Sequence, residues 1–144
     1  MIRKAKTEDL FPLTDLALKL WPGHDREELA QEMKMLLDKP DAALFLAYFR
    51  EDAVGFAQCQ LRQDYVEGTE TSPVGYLEGI FVAPEHRRQG VARRLLAACK
   101  DWARQCGCQE FGSDCELENT QSLHFHLALG FQEAGRIICF TSKL

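Results

Sequence analysis

Residues 87–93 read Arg-Arg-Gln-Gly-Val-Ala-Arg, directly before a run with helical spacing. A helix start exposes unpaired backbone N–H groups and the positive end of the helix dipole, so a glycine-bearing turn there suits an anion, phosphate above all. Gly90 has no Cβ and lets the backbone approach a ligand closely, and Ala92 keeps the first turn uncrowded. Arg87, Arg88 and Arg93 add charge suited to phosphate. The spacing is neither the dinucleotide fingerprint G-x-G-x-x-G nor a Walker loop, which requires G-K-[ST]. Taken alone, the turn reads as well as a solvated basic loop at the head of an ordinary helix.

Two carboxylates and a histidine are the other groups with chemistry to offer. Glu78 stands in the apolar stretch Val-Gly-Tyr-Leu-Glu-Gly-Ile-Phe-Val at 74–82. Burying a lone carboxylate is costly, so Glu78 either faces solvent at an edge or has a task. Strand alternation puts it on the same face as Ile80. Asp114 opens an acidic group with Glu116 and Glu118. Carboxylates lining a cleft attract ammonium groups, although Glu116 and Glu118 also favour the start of a following helix. His126 is either a proton carrier or a packed helix residue.

The elements that must position these groups are legible in outline. "MIRKA" reads as a first strand, and Thr7 or Asp9 as the cap of a helix running to Trp21. Asp25 followed by Glu28 resembles a capping box for a second helix, ended before Pro40. Two apolar runs joined by Glu51-Asp52 read as a hairpin, and residues 63–73 as a polar loop. Residues 74–82 form a third central strand. The helix after Gly90 carries Val91, Leu95, Leu96, Cys99, Trp102 and Ala103 on one stripe. A short strand ending at Asp114, a helix from Asn119 to Gly130, and a final strand "RIICF" at 136–140 complete the order βααβββαβαβ. The expected fold class is α/β, in the α+β sense of a central mixed sheet with helices on both faces, as one domain over residues 1–144.

The 144 residues suffice for one core, and 46% hydrophobic with 27% charged residues is ordinary globular usage. A net charge of -5 speaks against a nucleic-acid partner and suits a cationic one. No stretch approaches the ~20 apolar residues of a membrane span, so no membrane partner and a cytoplasmic location are expected. The six cysteines show no zinc spacing, and no metal is expected.

Arg87-x-x-Gly90-x-Ala92 resembles the Q/R-x-x-G-x-G/A signature of the GNAT superfamily of N-acetyltransferases. Asn119-x-x-Ser122 with Phe125-His126 and Gly130-Phe131 resembles that family's later helix motif. The stretches "LWPGH" at 20–24, "YVEGTETSPVGYLEGIFV" at 65–82 and "EFGSD" at 110–114 are similar to the bacterial aminoglycoside 6'-N-acetyltransferases. The resemblance covers nearly the whole chain.

It implies a GNAT-like fold and transfer of acetyl from acetyl-CoA to the 6'-amine of an aminoglycoside by direct attack in a ternary complex. It places the pyrophosphate on Arg87, Arg88, Gln89, Gly90, Val91, Ala92 and Arg93, the pantetheine arm along Ile80, Phe81 and Val82, and a further cofactor contact at Asn119, which serves equally as an N-cap. Glu78 becomes the candidate to receive the amine's proton, and Asp114 a substrate carboxylate. Trp21, His24 and Tyr65 match positions near the substrate, where aromatic faces suit sugars and ammonium groups. His126 stands where many members have the tyrosine that protonates the leaving thiolate, and Gly135 where relatives often carry a glutamate. Related enzymes are often dimers, and "RIICF" could pair or swap across such an interface. The rival readings are a GNAT enzyme acting on a polyamine or a peptide N-terminus, and a non-catalytic acetyl-CoA-binding module.

Overall fold

A computed structural model describes all 144 residues. Strand β1 spans Ile2–Lys4, helix α1 Leu10–Leu20, helix α2 Arg26–Asp38, strand β2 Ala42–Phe49, strand β3 Asp52–Arg62 and strand β4 Val74–Val82. Helix α3 follows at Val91–Gln105, strand β5 at Phe111–Gly112 and helix α4 at Thr120–Ala128. The five strands lie side by side in chain order. The first three pairings are antiparallel and β4–β5 is parallel, so the sheet is mixed.

The starts and stops follow local chemistry. Asp25 caps α2 by accepting a hydrogen bond from the Glu28 backbone N–H at 3.1 Å. The stripe Val91, Leu95, Leu96, Cys99, Trp102 and Ala103 is buried in full. It packs with Ala57, Cys59 and Leu77 on one face of the sheet. On the other face Leu13, Leu16 and Ala17 of α1 and Leu29 and Met33 of α2 pack on Leu44, Leu46 and Phe56. Each face of the sheet is therefore covered by helix, and removal of these side chains from water is the main force holding the layers together.

Two expectations about the ends of elements need correction. Asp9 stands at the N-cap position of α1, but neither its side chain nor that of Thr7 makes a capping hydrogen bond there. Residues 7–9 form a separate short helical turn, and the Asp9 carboxylate goes elsewhere. Arg3 of β1 donates to both its oxygens at 2.7 Å, the Lys6 N–H at 2.8 Å and the Tyr48 hydroxyl at 3.1 Å. The Arg3 hydrogen bonds hold this buried carboxyl down at about 2. The second correction is larger. "RIICF" is not a strand: no regular structure is assigned after Gly130. Ile137, Ile138 and Phe140 are 71%, 80% and 87% exposed. A strand exists only with a partner for its N–H and C=O groups, and no strand of this chain lies beside the tail.

Candidate active site

β4 carries one more residue than the stretch of β3 opposite it. Gln58 pairs with Gly79 and Cys59 with Leu77, so Glu78 has no residue across from it. Such a bulge resets the alternation of side chains. Leu77 and Ile80 both join the core beneath α3. Gly79 meets the other side, where a Cβ would stand 2.7 Å from the Trp21 ring. Glu78 keeps company with Arg62 and Tyr76 instead. The expectation that Glu78 shares a face with Ile80 is thus corrected, because a period of two holds only while the ladder is regular.

Glu78 is neither alone nor edge-facing. Arg62 Nη2 donates to its Oε1 at 2.9 Å and Oε2 at 3.0 Å, and Arg62 Nε to Oε2 at 3.2 Å. The same guanidinium lies 3.5 Å from the centre of the Tyr76 ring. The Tyr76 hydroxyl then donates to Asp114 Oδ2 at 2.6 Å. Burial, with the Asp114 hydrogen bond next, pushes the Tyr76 phenol far above its usual value, so it remains a donor. The chain of contacts Glu78–Arg62–Tyr76–Asp114 therefore joins the two carboxylates singled out in the sequence.

A cleft of about 1370 Å³ opens beside this network, lined by Arg62, Tyr65, Tyr76, Asp114 and His126 among others. Tyr65 is 74% exposed on the loop after β3. Glu110 anchors that loop by accepting from the Glu70 and Thr71 N–H groups at 2.9 Å, while Val66 is buried against Val74 and Tyr76. His126 reaches the cleft from α4. Its Nδ1 lies 2.7 Å from the Ser122 carbonyl, which only accepts, so Nδ1 carries a proton. Nε2 faces the Ser113 hydroxyl at 2.7 Å, and that hydroxyl stands 3.4 Å from the Leu77 carbonyl. In the neutral ring Ser113 donates to Nε2; in the charged ring the direction reverses and Ser113 donates to Leu77.

Trp21 and His24 stand apart from the cleft, at the end of α1, with ring centres 6.3 Å apart. Trp21 packs edge-on against Phe56 and lies against β4 at Gly79, the residue after Glu78.

The turn between β4 and α3 has the geometry of an anion site. Gly90 sits at φ 80° as the cap of α3, and Arg88 is also left-handed at φ 61°. No protein atom lies within 4 Å of the place a Gly90 Cβ would occupy. The backbone N–H groups of residues 88–93 find no acceptor in the chain. Two of the three arginines are already engaged. Arg87 Nε donates to the Val82 carbonyl at 2.8 Å, and Arg93 Nη2 to the Ala128 carbonyl at 2.8 Å. They brace the turn against β4 and α4, while Arg88 and Gln89 stay exposed. β5 pairs with β4 only at Gly75 and Tyr76, so Ile80, Phe81 and Val82 have no strand neighbour on that side. Asn119 accepts from the Ser122 N–H at 3.0 Å and is an N-cap.

Sequence reasoning missed Arg62, Tyr76 and Ser113. Arg62 and Glu78 are 16 residues apart, and Tyr76 and Asp114 are 38 apart. No local pattern marks such pairs; they arise only when β3, β4 and β5 are laid side by side.

Comparison with known proteins completes the picture. The pattern that defines the acetyltransferase (GNAT) family matches residues 10–131. An aminoglycoside N(6')-acetyltransferase type 1 of Acinetobacter haemolyticus is 43% identical over 99% of this chain and 98% of its own. The crystal structure of an aminoglycoside 6'-N-acetyltransferase from the same organism superimposes with a TM-score of 0.96 at 42% identity, covering 100% of this chain and 99% of that one. A structure of the aminoglycoside acetyltransferase AAC(6')-Iy with a bisubstrate analogue, CoA-S-monomethyl-acetylneamine, has a TM-score of 0.95 at 40% identity and covers 100% of this chain and 98% of its own.

Proposed function

The chain belongs to the acetyltransferase (GNAT) family, and from that premise we propose that the network around Glu78 and Asp114 is where it transfers acetyl from acetyl-CoA to the 6'-amine of an aminoglycoside. The observation that carries the activity and its substrate is the likeness to aminoglycoside 6'-acetyltransferases over the full length of both chains. Acetyl-CoA is the co-substrate. The turn at 87–93 fits its diphosphate, because six backbone N–H groups without acceptors and an open Gly90 meet at a helix start.

In this reading the substrate's ammonium loses its proton toward Glu78, directly or through one water, and the free amine attacks the thioester carbonyl. The N–C bond forms, the C–S bond breaks, the departing sulfur takes a proton from the His126–Ser113 pair, and the second proton of the acylated nitrogen passes through water to restore that pair, so that the net proton released is the one taken up by Glu78. Asp114 and Tyr65, in the wall of the cleft, hold the sugar rings and their remaining ammonium groups, while Trp21, with His24 beside it, meets the substrate from the other side of Glu78, where it lies against Gly79. Asn119 keeps the start of α4 in place. Gly135 does not leave the cleft short of carboxylate: Glu67 Oε1 reaches within 3.3 Å of where a residue-135 Cβ would stand. A cytoplasmic location, where acetyl-CoA is supplied, goes with this activity.

Release of coenzyme A should follow addition of tobramycin or kanamycin and not of spermidine. Turnover with spermidine alone would move the substrate to the polyamines, and release with none of the three would reduce the protein to a cofactor-binding module.

The working form in this reading is a homodimer. The tail after Phe131 makes no backbone–backbone hydrogen bond within the chain, and it carries four exposed large apolar residues, Ile137, Ile138, Phe140 and Leu144. A second copy supplies the strand it lacks. Removing residues 136–144 should turn a dimer into a monomer by light scattering. A truncated chain that stays dimeric puts the interface elsewhere.

A further inference from the structure

We infer that Arg62 is a positioning residue for acetyl transfer, fixing the direction of Glu78 and, through the Tyr76 ring, that of Asp114. The inference rests on the role of Glu78 proposed above. Arg62 is the last residue of β3, and its side chain runs back over Tyr76 to reach Glu78. A carboxylate on a bulge keeps several side-chain rotors free. The planar guanidinium removes that freedom by engaging both oxygens at once, which a lysine ammonium does with less geometric definition. The ring of Tyr76 is held between the guanidinium on its face and Asp114 at its hydroxyl. Both carboxylates thereby belong to one rigid unit spanning β3, β4 and the end of β5.

Two considerations separate orientation from other roles. With the Arg62 side chain 41% exposed and that of Glu78 19% exposed, water screens the pair from one side, and its contribution to stability is modest. Arg62 also lines the cleft, and a fixed cation in the wall of a site for polycations opposes binding. What the arginine contributes is alignment. Misplacing a reacting group by about 1 Å costs on the order of a hundredfold in rate.

The test compares Arg62→Ala, Arg62→Lys, Glu78→Gln and the double variant Arg62→Ala/Glu78→Gln with tobramycin and acetyl-CoA. Arg62→Ala should lower kcat by roughly ten- to a hundredfold, while the KM for tobramycin stays level or falls because a like charge has gone. Arg62→Lys should recover part of kcat. The double variant should match Glu78→Gln alone, since there is then no carboxylate left to aim. Melting temperatures should stay close to that of the unaltered protein throughout. A kcat for Arg62→Ala within twofold of the unaltered enzyme, or losses that multiply in the double variant, overturns the inference. A slow Glu78→Gln beside a fast Arg62→Ala removes Arg62 alone and leaves Glu78 its role. A fast Glu78→Gln removes both.

Discussion

Glu78→Gln should lower kcat/KM for an aminoglycoside by roughly ten- to a thousandfold, the range for losing a general base or a carboxylate that positions the nucleophile. Gln keeps the size of the side chain and one acceptor oxygen, but loses the charge and the basicity. It also replaces one of the two oxygens that Arg62 grips with an NH₂ group that has nothing to accept. The substrate amine is an ammonium at neutral pH and must shed a proton before it attacks. The deficit should therefore shrink as pH rises, because more of the amine is already free. The decisive measurement is kcat/KM from about pH 6 to about pH 9. A Gln variant that tracks the unaltered enzyme across that range would move the proton's exit to Asp114 or to bulk water. Acetyl-CoA affinity should hardly change, since the turn proposed for the diphosphate lies beyond the end of β4.

Gly90→Asp should weaken acetyl-CoA binding by about thirty- to a hundredfold. One negative charge ~6–8 Å from another in a partly shielded site costs about 2–3 kcal/mol, and the side chain would enter the space the turn leaves open. The fold should survive. No protein atom stands within 4 Å of the new Cβ, and aspartate tolerates the left-handed conformation that Gly90 adopts at φ 80° better than most residues do. Gly90→Ala separates the two effects, because it carries the backbone strain and the added Cβ without the charge, and its affinity should fall between those of Gly90→Asp and the unaltered protein. Calorimetric titration with acetyl-CoA decides the matter. Equal affinities for Gly90→Asp and the unaltered protein, in a folded variant, would move the diphosphate away from this turn.

Much of the framework was legible because it is local. The Asp25 cap forms a bond three residues long. The α3 stripe repeats every three to four residues, and all six of its members are buried. The β2–β3 hairpin closes over a short turn at residues 50–51. In each case a few neighbouring residues contain all the physics needed. Asp9 marks the boundary of this kind of reasoning. It is a good cap by residue type, yet two hydrogen bonds from Arg3 outcompete the cap.

The same division runs through the active site. The sequence by itself determined the inventory: a glycine turn before a helix, a glutamate in an apolar strand, an aspartate after a short strand, a histidine in a helix motif, and their membership in one family. It determined the helix and strand periods on which those residues ride. Only the tertiary structure decided how Glu78 is aimed, because a bulge is a mismatch in count between two strands and neither strand carries it alone. Only the tertiary structure brought Arg62 onto Glu78 and Tyr76 onto Asp114, contacts that depend on strand order. It also left "RIICF" without a neighbour. A segment's apolar, β-branched composition states what it is able to pair with, whereas whether a partner lies beside it is a property of the whole arrangement of strands.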